Sequence, residues 1–199
     1  MAELNTLRAL SGLPLTPVGL ADSVLVLIDC QNTYTRGVME LDGVAAALDE
    51  VGRLLERARS AGVPVVHIQH DDGPGSLYDI AGESGAIVEQ LAPRDGEAVV
   101  VKNYPNSFVG TDLDARLKGL GASHLLLAGF MTHMCVNSTA RGAFNLGYAP
   151  TVVGAATATR TLPGPHGESV SAQAMQAASL AAVADLFAVV VPRASDIPD

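Results

Sequence analysis

Tryptophan is absent from the chain, and Phe and Tyr contribute four residues each. Val, Leu, Ile and Ala must fill the interior, a composition suited to a parallel sheet buried on both faces. Positive charge is scarce: 12 Lys and Arg stand against 21 Asp and Glu, a formal net charge of −9. No Lys/Arg cluster occurs, which argues against nucleic acid and against an anionic membrane surface as partners. The longest apolar runs are broken by Gly, Thr and His well short of a membrane span. Only two cysteines are present, with no framework spacing. That excludes a disulfide scaffold and suits a reducing compartment. The N-terminus, Met-Ala-Glu-Leu-Asn-Thr-Leu-Arg, carries an early acid and no long apolar core, so it does not read as a signal peptide. A cytoplasmic protein is expected.

The chain has 199 residues, 48% of them hydrophobic and 17% charged. This suits a single well-filled domain and excludes a disordered chain. Residues 1–22 hold Pro14 and Pro17 and no sustained period. They read as an arm lying on the domain or on a neighbouring subunit. Residues 23–192 read as the domain and 193–199 as a C-terminal tail.

Within the domain, apolar runs at 24–28, 63–68, 97–101, 124–128, 150–155 and 188–191 read as strands. Helical spacing over 44–61, 111–118, 135–147 and 169–186 predicts helices, with Gly62 a plausible stop. The segments 31–42, 70–95, 103–110 and 157–168 read as loops. Strand and helix alternate, so the domain is α/β with a mostly parallel sheet. In such sheets the ligand crevice lies beyond the carboxyl ends of the strands, where strand order reverses. Asp29, Lys102 and Cys135 each fall at or just past such an end.

Cys135 also falls where the third helix is expected to begin. The helix dipole there lowers a thiol pKa. Taken alone, that stretch leaves a nucleophile and a merely packed cysteine equally open. A thiol, a carboxylate and an ammonium together suit acyl transfer. Cys135 would attack a carbonyl, and Asp29 would take its proton and return it to the leaving nitrogen. Lys102 would hold Asp29 and bias the site toward thiolate. Backbone N–H groups before Cys135 would stabilise the oxyanion.

The runs Val26-Leu-Ile-Asp29-Cys-Gln-Asn, Val101-Lys102 and Gly129-Phe-Met-Thr-His-Met-Cys135-Val, followed by Arg141 and Gly147-Tyr148, resemble the isochorismatase-like cysteine hydrolases. That family includes nicotinamidases and N-carbamoylsarcosine amidases. The resemblance covers roughly residues 22–192. It implies a three-layer α/β sandwich with a six-stranded sheet of order 3-2-1-4-5-6. It implies the triad Asp29, Lys102 and Cys135, a cis peptide at Phe130–Met131, and an oxyanion hole from the N–H groups of Met131 and Cys135. The activity implied is hydrolysis of a small amide or related C–N bond through a Cys135 thioester. The alternatives are acid-catalysed enol-ether cleavage, as in isochorismatases proper, which do not have the nucleophilic cysteine, and a non-catalytic binding or assembly protein.

Tyr34, Tyr104 and Phe108, with His70 and Thr132, are candidates to wall a pocket for a small-molecule substrate. Cys30 reads as a packed thiol. His133 is the candidate for a Cys–His dyad, which Asp29 makes unnecessary. Nicotinamidases carry an Asp-x-His metal pattern after the second strand. His67, Gln69-His70-Asp71-Asp72 depart from it, so no metal is expected. Dinucleotide binding is disfavoured because Gly-x-Gly-x-x-Gly is missing after the first strand, and no cofactor is expected. A homo-oligomer, dimer or tetramer, is expected from the arm and the apolar composition.

Overall fold

All six residues of β1 (Ser23–Ile28) are buried, as a strand covered on both faces requires. A computed structural model describes residues 5–199. β1 lies at the centre of a parallel sheet with β2 (Val65–His70), β3 (Ala98–Lys102), β4 (His124–Phe130), β5 (Ala149–Ala158) and β8 (Val189–Val191). The order is β3-β2-β1-β4-β5-β8. This is the order implied by the resemblance. The sixth strand becomes β8 because a short antiparallel pair, β6 (Leu162–Pro163) and β7 (Ser169–Val170), precedes it.

Alternate residues of β1 feed two cores. Leu25 and Leu27 meet Val51, Leu54 and Leu55 of α2 (Val44–Ser60). Val24, Val26 and Ile28 meet Leu113 and Leu117 of α3 (Leu113–Gly119), Ala140 and Ala143 of α4 (Asn137–Asn145), and Val183 of α5 (Ala172–Ala184). The result is helix, sheet and helix in three layers. In α2 the apolar positions recur at three and four residues, so one stripe faces the sheet.

Strand order reverses between β1 and β4, and there the two backbones approach closely. Gly129 is paired with Ile28 at φ 116°. A Cβ at this position would stand 2.0 Å from the Ile28 carbonyl oxygen. Only glycine fits here.

Several elements differ from expectation. β2 begins after Pro64 and continues to His70, so His70 belongs to the strand rather than to the following loop. β5 runs on to Ala158, past an irregular register with β4. The helix expected from 135 starts earlier, with a π turn at Thr132–Val136. There the N–H of Val136 donates to the Met131 carbonyl, and that of Asn137 to Thr132, five residues back. α5 starts later than expected because Ser169 and Val170 pair in the hairpin. Ser171 then caps the helix, its hydroxyl accepting from the Ala174 N–H.

The ends of the chain pack onto the domain. A short helix, α1 (Leu7–Leu10), carries Arg8, which is buried and donates to the carbonyls of Pro14 and Leu186. The part of the expected arm at 1–4 lies outside the described residues. At the other end Ala194 and Ile197 enter the α2 core, and Arg57 of α2 donates to the Ile197 carbonyl.

Candidate active site

Asp29 directly follows β1 and has φ 49°, the left-handed region that non-glycine residues seldom adopt. Its N–H donates to the Ile68 carbonyl, and its own carbonyl accepts from the Gln31 N–H. Such a conformation costs about 1 kcal/mol and persists where the surroundings impose it, often at functional sites.

Lys102 closes β3, and its long side chain reaches Asp29 past β2. The Nζ–Oδ2 distance is 2.7 Å, and neither side chain touches solvent. The same ammonium lies 3.5 Å from Cys135 Sγ and 3.1 Å from His70 Nδ1. The three residues read from the strand ends thus converge at the reversal between β1 and β4. The approach of Lys102 to Asp29 is short but poorly directed. Among the described residues neither oxygen of the Asp29 carboxylate receives a well-aligned hydrogen bond. The carboxylate retains lone pairs for a reacting group.

Burial raises the Asp29 pKa, and the Lys102 charge opposes that shift. Cys135 is pushed up to about 12, first by burial and then by the Asp29 charge, against which Lys102 acts only in part. Lys102 lowers the thiol pKa, as expected, but burial and the Asp29 charge outweigh it. Cys135 sits one turn into the helical segment and is almost fully buried, so desolvation wins.

The Phe130–Met131 peptide is cis. The Met131 N–H, expected in the oxyanion hole, meets no acceptor among the described residues. Thr132 is buried, and its hydroxyl is also unpartnered among them.

Of the remaining pocket candidates, Tyr34 and His70 are gathered near the triad. Tyr34 stands edge-on to Phe130 and to Tyr78, and Tyr78 stands edge-on to His70. Phe108 stacks on Tyr148, and Tyr104 is 57% exposed. Cys30 is buried in the α2 core, and burial raises its pKa far above that of an ordinary thiol. His133 is turned to Thr159, its Nδ1 2.5 Å from the threonine hydroxyl. His67 is engaged by Glu97 at 2.8 Å, and His70 by Asp72 at 2.9 Å. Among the described residues no three His, Cys, Asp or Glu side chains form a group able to hold a metal ion.

Two contributors escape a reading by sequence. Tyr78 sits in the glycine-rich loop, where no period marks it. Gln31 is wholly buried and joins β2 to that loop: its amide donates to the His70 and Gly85 carbonyls and accepts from the His70 N–H. Its place in the Asp29-Cys-Gln-Asn run that carries the family resemblance is the signal for it.

Comparison with known proteins places this geometry. The Isochorismatase domain matches residues 23–195. The chain is 34% identical over 189 residues to a secreted isochorismatase effector of Verticillium dahliae, covering 94% of this chain and 97% of that protein. It is 33% identical over 176 residues to a streptothricin hydrolase of Streptomyces noursei, covering 87% of this chain and 63% of that one. The crystal structure of an isochorismatase from Pseudomonas putida superposes with a TM-score of 0.93 at 36% identity, covering 97% of this chain and 99% of the other. Similarity of sequence and of fold thus extends over nearly the whole chain, and the protein belongs to the isochorismatase family.

Proposed function

We propose that this family hydrolase cleaves a small amide or related C–N bond through a thioester on Cys135. The observation that carries the reading is the buried convergence of the Asp29 carboxylate, Lys102 ammonium and Cys135 thiol at the sheet's reversal point. The Streptomyces relative is named a streptothricin hydrolase, and a 29%-identical relative from Azorhizobium caulinodans is named a ureidoacrylate amidohydrolase. The first name supports hydrolysis and the second amide-type chemistry.

The thiol proton passes to Asp29 as sulfur attacks the carbonyl carbon and the S–C bond forms. The oxyanion takes hydrogen bonds from the Met131 and Cys135 N–H groups. Collapse breaks the C–N bond, and Asp29 gives its proton to the leaving nitrogen. Water then loses a proton to Asp29 and attacks the thioester. The C–S bond breaks, and Asp29 returns the proton to sulfur. Lys102 tempers the negative charge on Asp29. Tyr34 and Thr132 line the substrate side.

The test is an amide screen that reads ammonia release, with intact-mass detection of an acyl-enzyme. Cys135→Ser should remove turnover and the adduct together; full turnover in that variant would exclude the mechanism. The Verticillium relative's name favours a second reading, enol-ether cleavage with Asp29 as acid. That reaction leaves no adduct and does not use the thiol.

Self-association is supported by α5, whose 13 residues carry no charge although Gln173, Ala174, Ala177, Ala178, Ala181 and Ala182 stay exposed. Light scattering would report a dimer or tetramer; a monomer at all concentrations would refute it. Among the described residues no helix is long and apolar enough to cross a membrane. The two free thiols support a cytoplasmic setting, which fractionation of the native cell tests against the secretion named for the Verticillium relative.

A further inference from the structure

We infer that His70 is a positioning residue for the triad, a neutral imidazole that accepts from Lys102 through Nδ1 and is locked in that tautomer by Asp72. The inference rests on the hydrolase reading for its consequence, though not for its geometry.

An ammonium has three N–H groups and no acceptor. Lys102 Nζ is wholly buried, so each N–H needs a partner within the protein. Three partners surround it: the Asp29 carboxylate in ion-pair contact at 2.7 Å, and two hydrogen-bond acceptors, His70 Nδ1 at 3.1 Å and Cys135 Sγ at 3.5 Å. His70 therefore supplies an acceptor that fixes the rotation of the ammonium. Because Lys102 can only donate, Nδ1 must be bare. The ring proton then resides on Nε2, which faces Asp72 Oδ1 at 2.9 Å. An oriented acceptor beyond a histidine selects its tautomer.

His70 is held through both its backbone and its ring. Its backbone pairs with Lys102 across β2 and β3. Gln31 clasps its N–H and carbonyl. The Tyr78 ring stands edge-on, with centroids 4.9 Å apart. The charged groups facing it are Lys102 from β3, Asp72 from the loop and, behind Lys102, Asp29 from the end of β1. A neutral ring adds no second positive charge beside Asp29, so the carboxylate keeps its capacity to take the thiol proton. An imidazolium would point a donor at a donor and drive Lys102 from its place.

The first test needs no substrate. Long-range proton–nitrogen correlation on the full-length 15N-labelled protein at neutral pH reads the tautomer, with the His70 signals assigned by their loss in His70→Asn. The expected pattern is the Nε2–H form, with Nδ1 moving toward a free pyridine-type nitrogen in Lys102→Met. An Nδ1–H form, or an Nδ1 unmoved by Lys102→Met, overturns the inference.

The second test uses turnover. His70→Leu should lower kcat about 10- to 100-fold with little change in KM, the scale of a misplaced catalytic group. His70→Asn, which retains an acceptor near the Nδ1 position, should restore most of it. Equal activity of His70→Leu and wild type, or equal loss in the Leu and Asn variants, overturns the positioning role. Undiminished turnover in Cys135→Ser instead sinks the thioester reading and leaves the tautomer result standing.

Discussion

Lys102 Nζ and Asp29 Oδ2 lie 2.7 Å apart with both side chains excluded from solvent. A pair so buried is costly to break from one side, because the survivor keeps its charge without a partner. Lys102→Met should destabilise the fold by about 3–5 kcal/mol. Adding Asp29→Asn should recover part of that loss, since the orphaned charge is removed. Urea unfolding of the two single variants and the double variant measures the coupling. Strict additivity would mean that the two groups do not interact.

The protonation of Cys135 sets a second expectation. Its pKa is raised to about 12, so the thiolate fraction should rise about tenfold per pH unit up to that point. Iodoacetamide labelling followed by peptide mass spectrometry should show Cys135 reacting ever faster through pH 9 and 10. A plateau near pH 6 would reveal a stable thiolate. Turnover should behave differently because Asp29 must be ionised to act. Its pKa is raised, so activity is present above that value and is lost, as pH falls, at a higher pH than an ordinary aspartate near 4 would dictate.

These two expectations mark where the sequence was legible. Asp29, Lys102 and Cys135 could be placed because each ends or follows an apolar run, and strand ends gather at one edge of a parallel sheet. Strand order, and the cis bond at Phe130–Met131, came through family resemblance. The lowering effect of Lys102 on the thiol pKa came through, and the opposing effect did not. It depends on burial, to which β1, β3 and the turn after β4 all contribute. The start of the Cys135 helix was misjudged because the π turn at Thr132–Val136 obeys neither the strand nor the α-helix period. Tyr78 and Gln31 act across a long loop, and chain spacing carries no trace of that.

Glu97 offers a test of the framework beyond the site. Its carboxylate receives Arg59 at 2.7 and 2.8 Å, His67 at 2.8 Å and the Arg94 N–H at 2.9 Å. Arg59 foremost holds its pKa down, to about 2 from an ordinary 4.5. A depressed carboxyl stabilises the fold fully above the unfolded pKa and loses that contribution as pH falls through the folded one. Glu97→Gln should therefore be destabilised relative to wild type at pH 7. The gap should narrow steadily below pH 4.5. Denaturant unfolding at pH 7 and pH 3.5 would show it; a gap independent of pH would refute it.

At Gly129 the constraint is steric. The added Cβ of Gly129→Ala would meet the Ile28 carbonyl oxygen at 2.0 Å, forcing β1 from β4 where Asp29 and Cys135 meet. Gly147 also has a positive φ, 91°, but open space around it. Gly147→Ala should cost only about 1 kcal/mol of backbone strain. Gly129→Ala should cost several times more, or fail to fold. Equal melting temperatures for the two variants would show that β1 and β4 can part without penalty.

Thr132 separates stability from function most sharply. Its hydroxyl is buried and has no hydrogen-bond partner among the described residues, a state that costs about 1–3 kcal/mol. Thr132→Val keeps the shape and removes the unmet polar group, so the variant should melt at the same temperature or higher. If the hydroxyl is held ready for a substrate polar group, the same change should raise KM or lower kcat about tenfold or more, the loss of one hydrogen bond in a dry site. Thermal unfolding and steady-state kinetics on one preparation decide the matter. A stabilised variant with reduced turnover would mark Thr132 as part of substrate recognition, whereas unchanged kinetics would reduce it to a packing residue in the turn before Cys135.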